Sequence, residues 1–190
     1  MSILKKLDEA VIFDLEATCE DKLVDFYFDK EIIEIGAVKI KGGRIVDEFN
    51  TFIRPRDTVI TPFCTELTTI TAEDVWDAPD FVEASSAFGA FIGNARILSW
   101  GDYDRKQLLK DFVRHDVVPP FWMKRHINLN QEFADLLNIR RYGMKKALAL
   151  CGIELEGTHH RGIDDARNIA KIYLYLKDNY YPNKWGNLSK

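Results

Sequence analysis

The segment Val11-Ile12-Phe13-Asp14-Leu15-Glu16-Ala17-Thr18 has the two-residue alternation of a β-strand, with two acids built into one of its faces. Phe13 and Leu15 go to one side and Asp14 and Glu16 to the other, so one strand end presents two carboxylates together. Two further acids are aimed inward by helical spacing. Asp165 leads the stripe Ile169, Ile172, Leu176, and Asp104 leads Leu108 and Phe112, so each acid continues an apolar face instead of turning to water. Burying an unpaired carboxylate costs several kcal/mol or forces it to protonate. A fold that accepts these segments must therefore converge the acids on a shared partner, for which a divalent metal is the natural candidate.

At 190 residues the chain suits one α/β domain over residues 1–190, with a core at about 9–178 and a tail from 179. Hydrophobic residues at 46% and charged residues at 29% are ordinary globular values, and no apolar run reaches the eighteen or so residues of a membrane span. The first residues lack the hydrophobic stretch of a signal peptide. Cys19, Cys64 and Cys151 are odd in number, widely spaced and form no CxxC, which favours a reducing cytoplasm over a disulfide framework or zinc site. The net charge of −4 argues against a polyanionic partner, but two bound divalent cations would cancel it and make the cleft attractive to phosphate. Basic residues also gather locally, as Lys124-Arg125-His126 and as Arg140-Arg141 with Lys145-Lys146, either as solvated faces or as phosphate contacts.

Strands are expected over 9–16, 31–41 and 44–54, the last two joined by the hairpin turn Lys41-Gly42-Gly43-Arg44. Short helices and turns fill 61–77, and an amphipathic helix covers 80–92 after Pro79. A buried strand at 96–100 precedes a helix from Asp102 or Tyr103 to Arg114, which must stop before Pro119-Pro120. A strand at 126–129 and helices at 131–137, 143–151 and 163–178 complete the chain. This order points to a mixed sheet flanked by helices, with ligands at the carboxyl ends of its strands, where Asp14, Glu16 and Asp104 fall.

Three blocks, Phe13-Asp14-Leu15-Glu16-Ala17-Thr18, Ser99-Trp100-Gly101-Asp102-Tyr103-Asp104 and His160-Arg161-Gly162-Ile163-Asp164-Asp165, resemble those of the DEDDh family of 3′ to 5′ exonucleases. The branch they most resemble contains the histone mRNA and small-RNA 3′ exonucleases of eukaryotes and the KapD-type proteins of bacteria. Glu31-Ile-Ile-Glu-Ile-Gly-Ala-Val and Pro62-Phe-Cys-Thr-Glu-Leu add support, and the resemblance runs from about residue 10 to about residue 177. It implies a ribonuclease H-like fold, a five-stranded mixed sheet flanked by helices, and a two-metal phosphodiesterase. Asp14, Glu16 and Asp165 would hold one ion, Asp14 and Asp104 would help place a second, and His160 would deprotonate the attacking water. Hard oxygen ligands suit Mg²⁺ or Mn²⁺, and two such ions about 4 Å apart can stabilise both the attacking and the leaving oxygen. Histidine suits a base because its ordinary pKa of about 6.5 lies near working pH.

Rival assignments exist for several of these residues. His159 competes with His160, and only the family's five-position spacing to Asp165 selects between them. Asp102 is expected to cap the helix that Asp104 enters, and Asp104 alone could serve the same purpose. Asp164 lies about 100° around the helix from Asp165 and should be dispensable. A Cys19 nucleophile paired with His160 would leave four inward acids unexplained.

For substrate, Tyr103 is the first candidate to stack on a terminal base and Phe63 the second, with Ile70 as a wedge and Ala17 and Thr18 facing the terminal sugar. Phe63 is equally readable as core. Where the family often has glycine, this chain has Thr69 before Ile70. The branch resemblance favours single-stranded RNA over DNA, with nucleoside 5′-monophosphates as products. A DNA-directed proofreading or repair exonuclease and a non-catalytic nucleic-acid-binding regulator are the alternatives.

Overall fold

The computed structural model describes residues 3–25 and 27–181. Strand β1 (Glu9–Ala17) is central in a five-stranded sheet of order β3-β2-β1-β4-β5, with β2 (Ile32–Lys41), β3 (Arg44–Phe52), β4 (Arg96–Ser99) and β5 (His126–Asn128). The β1–β2 and β2–β3 pairs are antiparallel, whereas β4 runs parallel to both β1 and β5. Seven helices flank it: α1 (Pro62–Thr68), α2 (Ala72–Trp76), α3 (Phe81–Ile92), α4 (Tyr103–Arg114), α5 (Leu129–Leu137), α6 (Met144–Leu150) and α7 (Gly162–Tyr180). This is the five-stranded mixed sheet flanked by helices that the family resemblance implies. No helix among the described residues is long and apolar enough to cross a membrane.

The alternation in β1 divides the interior into two cores. Val11, Phe13 and Leu15 pack with Phe81, Phe88 and Phe112 of α3 and α4, whereas Ala10 and Ile12 pack with Ile169, Ile172 and Leu176 of α7. Asp14 and Glu16 are the next two positions on the α7 side. The same face that builds one core therefore delivers the acids to its rim. Helix α7 is fastened at its far end, where the buried Lys177 ammonium donates to the Leu4 and Leu7 carbonyls at 2.9 and 3.0 Å.

Helix boundaries follow local chemistry. Thr61, Thr71 and Asp80 cap α1, α2 and α3, and the last two complete capping boxes. Asn128 ends β5 and accepts from the Gln131 N–H, so α5 starts two residues before the expected Gln131. Asp102 does not perform the capping expected of it: it makes no cap hydrogen bond, and its carboxylate accepts from the Asn128 amide at 2.9 Å. The 3₁₀ turns at Ile3–Lys6 and Phe121–Arg125 have no counterpart in the sequence reading. Helix α7 runs two residues past the expected end, to Tyr180, and the rest of the expected tail beyond Tyr181 lies outside the described residues.

Candidate active site

A cleft of about 410 Å³ opens at the carboxyl end of β1, lined by Asp14, Glu16, Asp104, Asp165, His159 and His160 among others. One carboxylate oxygen from each of Asp14, Glu16 and Asp165 lies within 4.8 Å of the others, and Asp165 forms a second such group with both histidines. Asp104 reaches the cluster from the first turn of α4, where it is buried. All four sequence-expected acids thus share one cleft.

The charge state of the cluster records the crowding. Burial, then Asp104, Glu16, Asp165 and Glu34, push the Asp14 carboxyl well above the ordinary carboxylate range. Burial followed by Asp165, Glu34 and Asp104 drives Glu16 up to about 8. Burial raises Asp104 to about 6 despite its hydrogen bonds. Among the described residues, no lysine or arginine pairs with Asp14, Glu16, Asp104 or Asp165; the ion pairs run elsewhere. An all-oxygen donor set that must hold protons for want of a counter-cation fits a hard divalent metal.

Both histidines stand at the cleft. His159 Nδ1 lies 2.9 Å from Asp165 Oδ2, whereas the His160 backbone N–H donates to the same oxygen at 3.1 Å. The two rings stack with centroids 4.0 Å apart and planes at 20°. His160 adopts φ 66°, in the left-handed region, and a nitrogen of its ring stays within 4.8 Å of an Asp165 carboxylate oxygen. Burial and His159 lower the His160 pKa against the opposing pull of Asp165, favouring the neutral form that a base requires.

The expected substrate contacts divide. Tyr103, 47% exposed, lines the cleft beneath the Lys30 ammonium, which stands 5.7 Å from its ring centre, and Ala17 lines it as well. Thr18 does not: it is fully buried, its hydroxyl accepts the Glu31 N–H at 2.9 Å, and its own N–H donates to the Glu31 carbonyl. Phe63, 37% exposed, shares a face of α1 with Leu67 one helical turn on, and it is Leu67 that lines the cleft. Ile70 is no wedge. It is wholly buried with Cys19, Ile33, Cys64 and Val75, because the left-handed Thr69 (φ 65°) turns the chain inward after α1. That φ is the physical reason a glycine suits this position.

Glu34 and Arg161 are site residues that the sequence reading missed. Glu34 stands opposite Glu16 on β2, yet its carboxylate is already occupied, accepting from the Gly162 N–H at 2.8 Å and from Arg161 Nε and Nη2 at 3.2 and 3.1 Å. It clamps the N-terminus of α7, and with it Asp165, against the sheet. The available signal was a lone charge inside the apolar run Ile32-Ile33-Glu34-Ile35. Asp164, by contrast, faces away from the acids: it accepts the Thr158 N–H at 2.9 Å and pairs with Arg167.

Residues 11–173 match the family of RNase T exonucleases. The chain belongs to that family. The RNase T-like chain is 33% identical over 164 residues to the PolC-type DNA polymerase III of Thermotoga maritima, which spans 86% of this chain and 11% of the polymerase. It is 29% identical over 191 residues to ERI1 exoribonuclease 2 of Xenopus laevis, covering 85% of this chain and 27% of the relative. The chain therefore spans a small part of the length of both. Among solved structures, the nuclease domain of 3′hExo, a DEDDh family member bound to rAMP, superposes with a TM-score of 0.86 at 27% identity over 93% of this chain and 95% of that one. Exonucleases of the DEDDh type use divalent metal, and Asp14, Glu16 and Asp165 form the candidate acidic cluster for it here.

Proposed function

We propose that this protein is a 3′ to 5′ exoribonuclease that removes nucleoside 5′-monophosphates from single-stranded RNA. The observation that carries this reading is the convergence of Asp14, Glu16 and Asp165 within 4.8 Å, with Asp104 and His160 lining the same cleft. Asp14, Glu16 and Asp165 are suited to one Mg²⁺ or Mn²⁺, and Asp14 with Asp104 to a second. Divalent cations bound there supply positive charge to the scissile phosphate and make water more acidic. His160, held neutral, accepts a proton from the attacking water on a ring nitrogen. The water oxygen bonds to phosphorus while the phosphorus–O3′ bond to the penultimate nucleotide breaks, and that O3′ takes a proton from solvent to leave as a hydroxyl while His160 returns its proton to solvent. Tyr103 supplies a stacking face for the terminal base, with Leu67 on the opposite helix, and Ala17 faces the sugar.

RNA is supported by likeness to an ERI1 exoribonuclease and to a nuclease domain that binds rAMP. The PolC-type relatives, at 33% identity, support a DNA exonuclease of the same chemistry as the second reading. The test is degradation of 5′-labelled single-stranded RNA and its DNA counterpart with Mg²⁺ or with chelator. A ladder shortening from the 3′ end on RNA, abolished by chelator, is expected. Equal ladders favour the DNA reading, and tight binding without cleavage favours a non-catalytic regulator.

A further inference from the structure

From the α5–α6 connection into the first turn of α6 the chain reads Arg140-Arg141-Tyr142-Gly143-Met144-Lys145-Lys146, four cations in seven residues on a protein of net charge −4. All four are exposed, while Gly143 and Met144 between them line the cleft. The loop is pinned to the cleft wall: the Tyr142 carbonyl accepts from Trp100 Nε1 at 2.9 Å and from the Asn130 amide at 3.0 Å, and Trp100 itself lines the cleft. The Arg140 guanidinium lies 4.9 Å from the centre of the Tyr142 ring. Of the other cations near the site, Lys30 stands over the Tyr103 ring at the cleft, whereas Arg161 is committed to Glu34, Arg167 to Glu48 and Asp164, and Lys171 to Glu156. Among the described residues no ion pair engages Arg140, Arg141, Lys145 or Lys146. Cations left without acids, on an anchored connection and the helix turn that follows it, both continuous with the cleft, are complementary to a chain of phosphates.

We infer that Arg140, Arg141, Lys145 and Lys146 form the track for the phosphates upstream of the terminal nucleotide, holding the body of a single-stranded nucleic acid while its 3′ end enters the cleft. Such contacts read charge and not base or sugar, so RNA and DNA of equal length should use the track alike. The track rests on the proposed nuclease reading for the entry of the 3′ end, but its binding is independent of cleavage.

The experiment measures anisotropy of 5′-fluorescein oligonucleotides, a trimer and a 12-mer, in chelator at several NaCl concentrations. The proteins are wild type, the quadruple variant Arg140→Gln, Arg141→Gln, Lys145→Gln, Lys146→Gln, and the double variant Lys145→Gln, Lys146→Gln, whose exposed helical positions accept glutamine readily. A charge control, Lys41→Gln with Arg44→Gln, removes two cations from the hairpin at the opposite end of the sheet, where Lys41 pairs across from Glu9. The 12-mer is expected to lose tenfold or more in affinity in the quadruple variant, its advantage over the trimer shrinking. The slope of log affinity against log salt should fall by about 0.7 for each lost contact. Wild-type affinity and slope in the loop variants would overturn the track. So would an equal loss in the hairpin control, which would assign binding to diffuse charge, or an equal loss for trimer and 12-mer. Wild type that binds through this loop yet cleaves neither RNA nor DNA would remove the nuclease reading and leave the track standing.

Discussion

Gly36 and Gly162 allow β2 and α7 to meet backbone against backbone at the floor of the acidic cleft. A Cβ on Gly36 would lie 2.0 Å from the Ile163 nitrogen, and one on Gly162 would lie 3.1 Å from the Gly36 nitrogen and 3.2 Å from the Asp14 carbonyl oxygen. The contact sets how close Asp165 can come to Asp14, since Asp165 stands three positions after Gly162 on one rigid helix. Because backbone cannot rotate aside as a side chain can, Gly36→Ala should destabilise the fold by about 3 kcal/mol or more. It should also abolish metal-dependent cleavage. Urea unfolding and single-turnover assays of the variant check both, and near-wild-type stability would mean that α7 does not rest on β2.

The opposite directions of Asp164 and Asp165 give a paired test. Asp165 is buried in the cluster, so Asp165→Asn removes a charge from the ligand set and should lower cleavage about a thousandfold, on the scale of losses expected when a metal-assisted step fails. Asp164→Asn retains an oxygen for the Thr158 N–H and loses only the pairing with the half-exposed Arg167. Exposed pairs of that kind contribute about 1 kcal/mol or less, so activity should stay within about threefold. Rates for the two variants under saturating Mg²⁺ decide it. Matching losses would refute the assigned facing.

Those two aspartates also mark what a sequence can encode. Asp165 and Asp104 were readable because each leads an apolar stripe of helical period, and Asp14 with Glu16 because β1 alternates between two separate cores. Glu34 was not: β2 is buried on nearly its whole length, and burial on both faces erases the alternation that would have shown which way Glu34 points. Thr18 and Ile70 were misplaced for a related reason. Proximity along the chain to Ala17 and to α1 suggested the cleft, but the partners that draw them inward, Glu31 for Thr18 and Ile33 with Val75 for Ile70, are distant in sequence. The start of α3 was legible from its capping Asp80, whereas α5 begins two residues before its expected start although Asn128 caps it. Asp102 misled because Asn128, on another strand, takes its carboxylate.

The stacked histidines separate by role. Among the described residues no hydrogen bond holds the His160 ring, which stacks on that of His159, whereas His159 is bound to Asp165. His160→Ala should therefore lower kcat about a hundredfold or more, the usual scale for loss of a general base, with metal affinity little changed. His159→Ala should instead weaken metal binding by freeing Asp165 to reorient, with a smaller effect on kcat at saturating metal. Titration of Mn²⁺ against each variant, alongside kcat, distinguishes them. A silent His160→Ala with an inactive His159→Ala would exchange the two assignments.

Metal binding should release protons. Glu16 at about 8 and Asp104 at about 6 hold protons near neutrality, and a divalent cation binds only their ionised forms. Raised carboxyl pKa values mean that rising pH removes those protons, so apparent Mg²⁺ affinity should increase from pH 6 to about pH 8 and level off above it. Calorimetric titrations in two buffers of different ionisation enthalpy measure the protons displaced. Affinity independent of pH over that window would require the acids to be ionised before the cation arrives. Chelation should correspondingly lower the unfolding midpoint at pH 8, because the acids then repel one another without compensation.

His126 gives the fold a separate dependence on acid. It lies on β5 with Nε2 3.0 Å from the Ser99 hydroxyl and its ring 6.2 Å from that of Phe13, so the basic cluster read at Lys124-Arg125-His126 loses one member to the interior. Burial, opposed by Asp102 and reinforced by Arg105, lowers its pKa to about 4. A depressed histidine pKa means that the unfolded chain takes up the proton first. Its stabilising contribution is full above about pH 6.5 and is lost as pH falls toward 4, amounting to about 2 kcal/mol by pH 5. His126→Gln cannot titrate, so the difference in stability between it and wild type should narrow by that amount between pH 7.5 and pH 5. Urea unfolding of both proteins at the two pH values measures the difference, and parallel pH curves would place His126 in water in the folded protein.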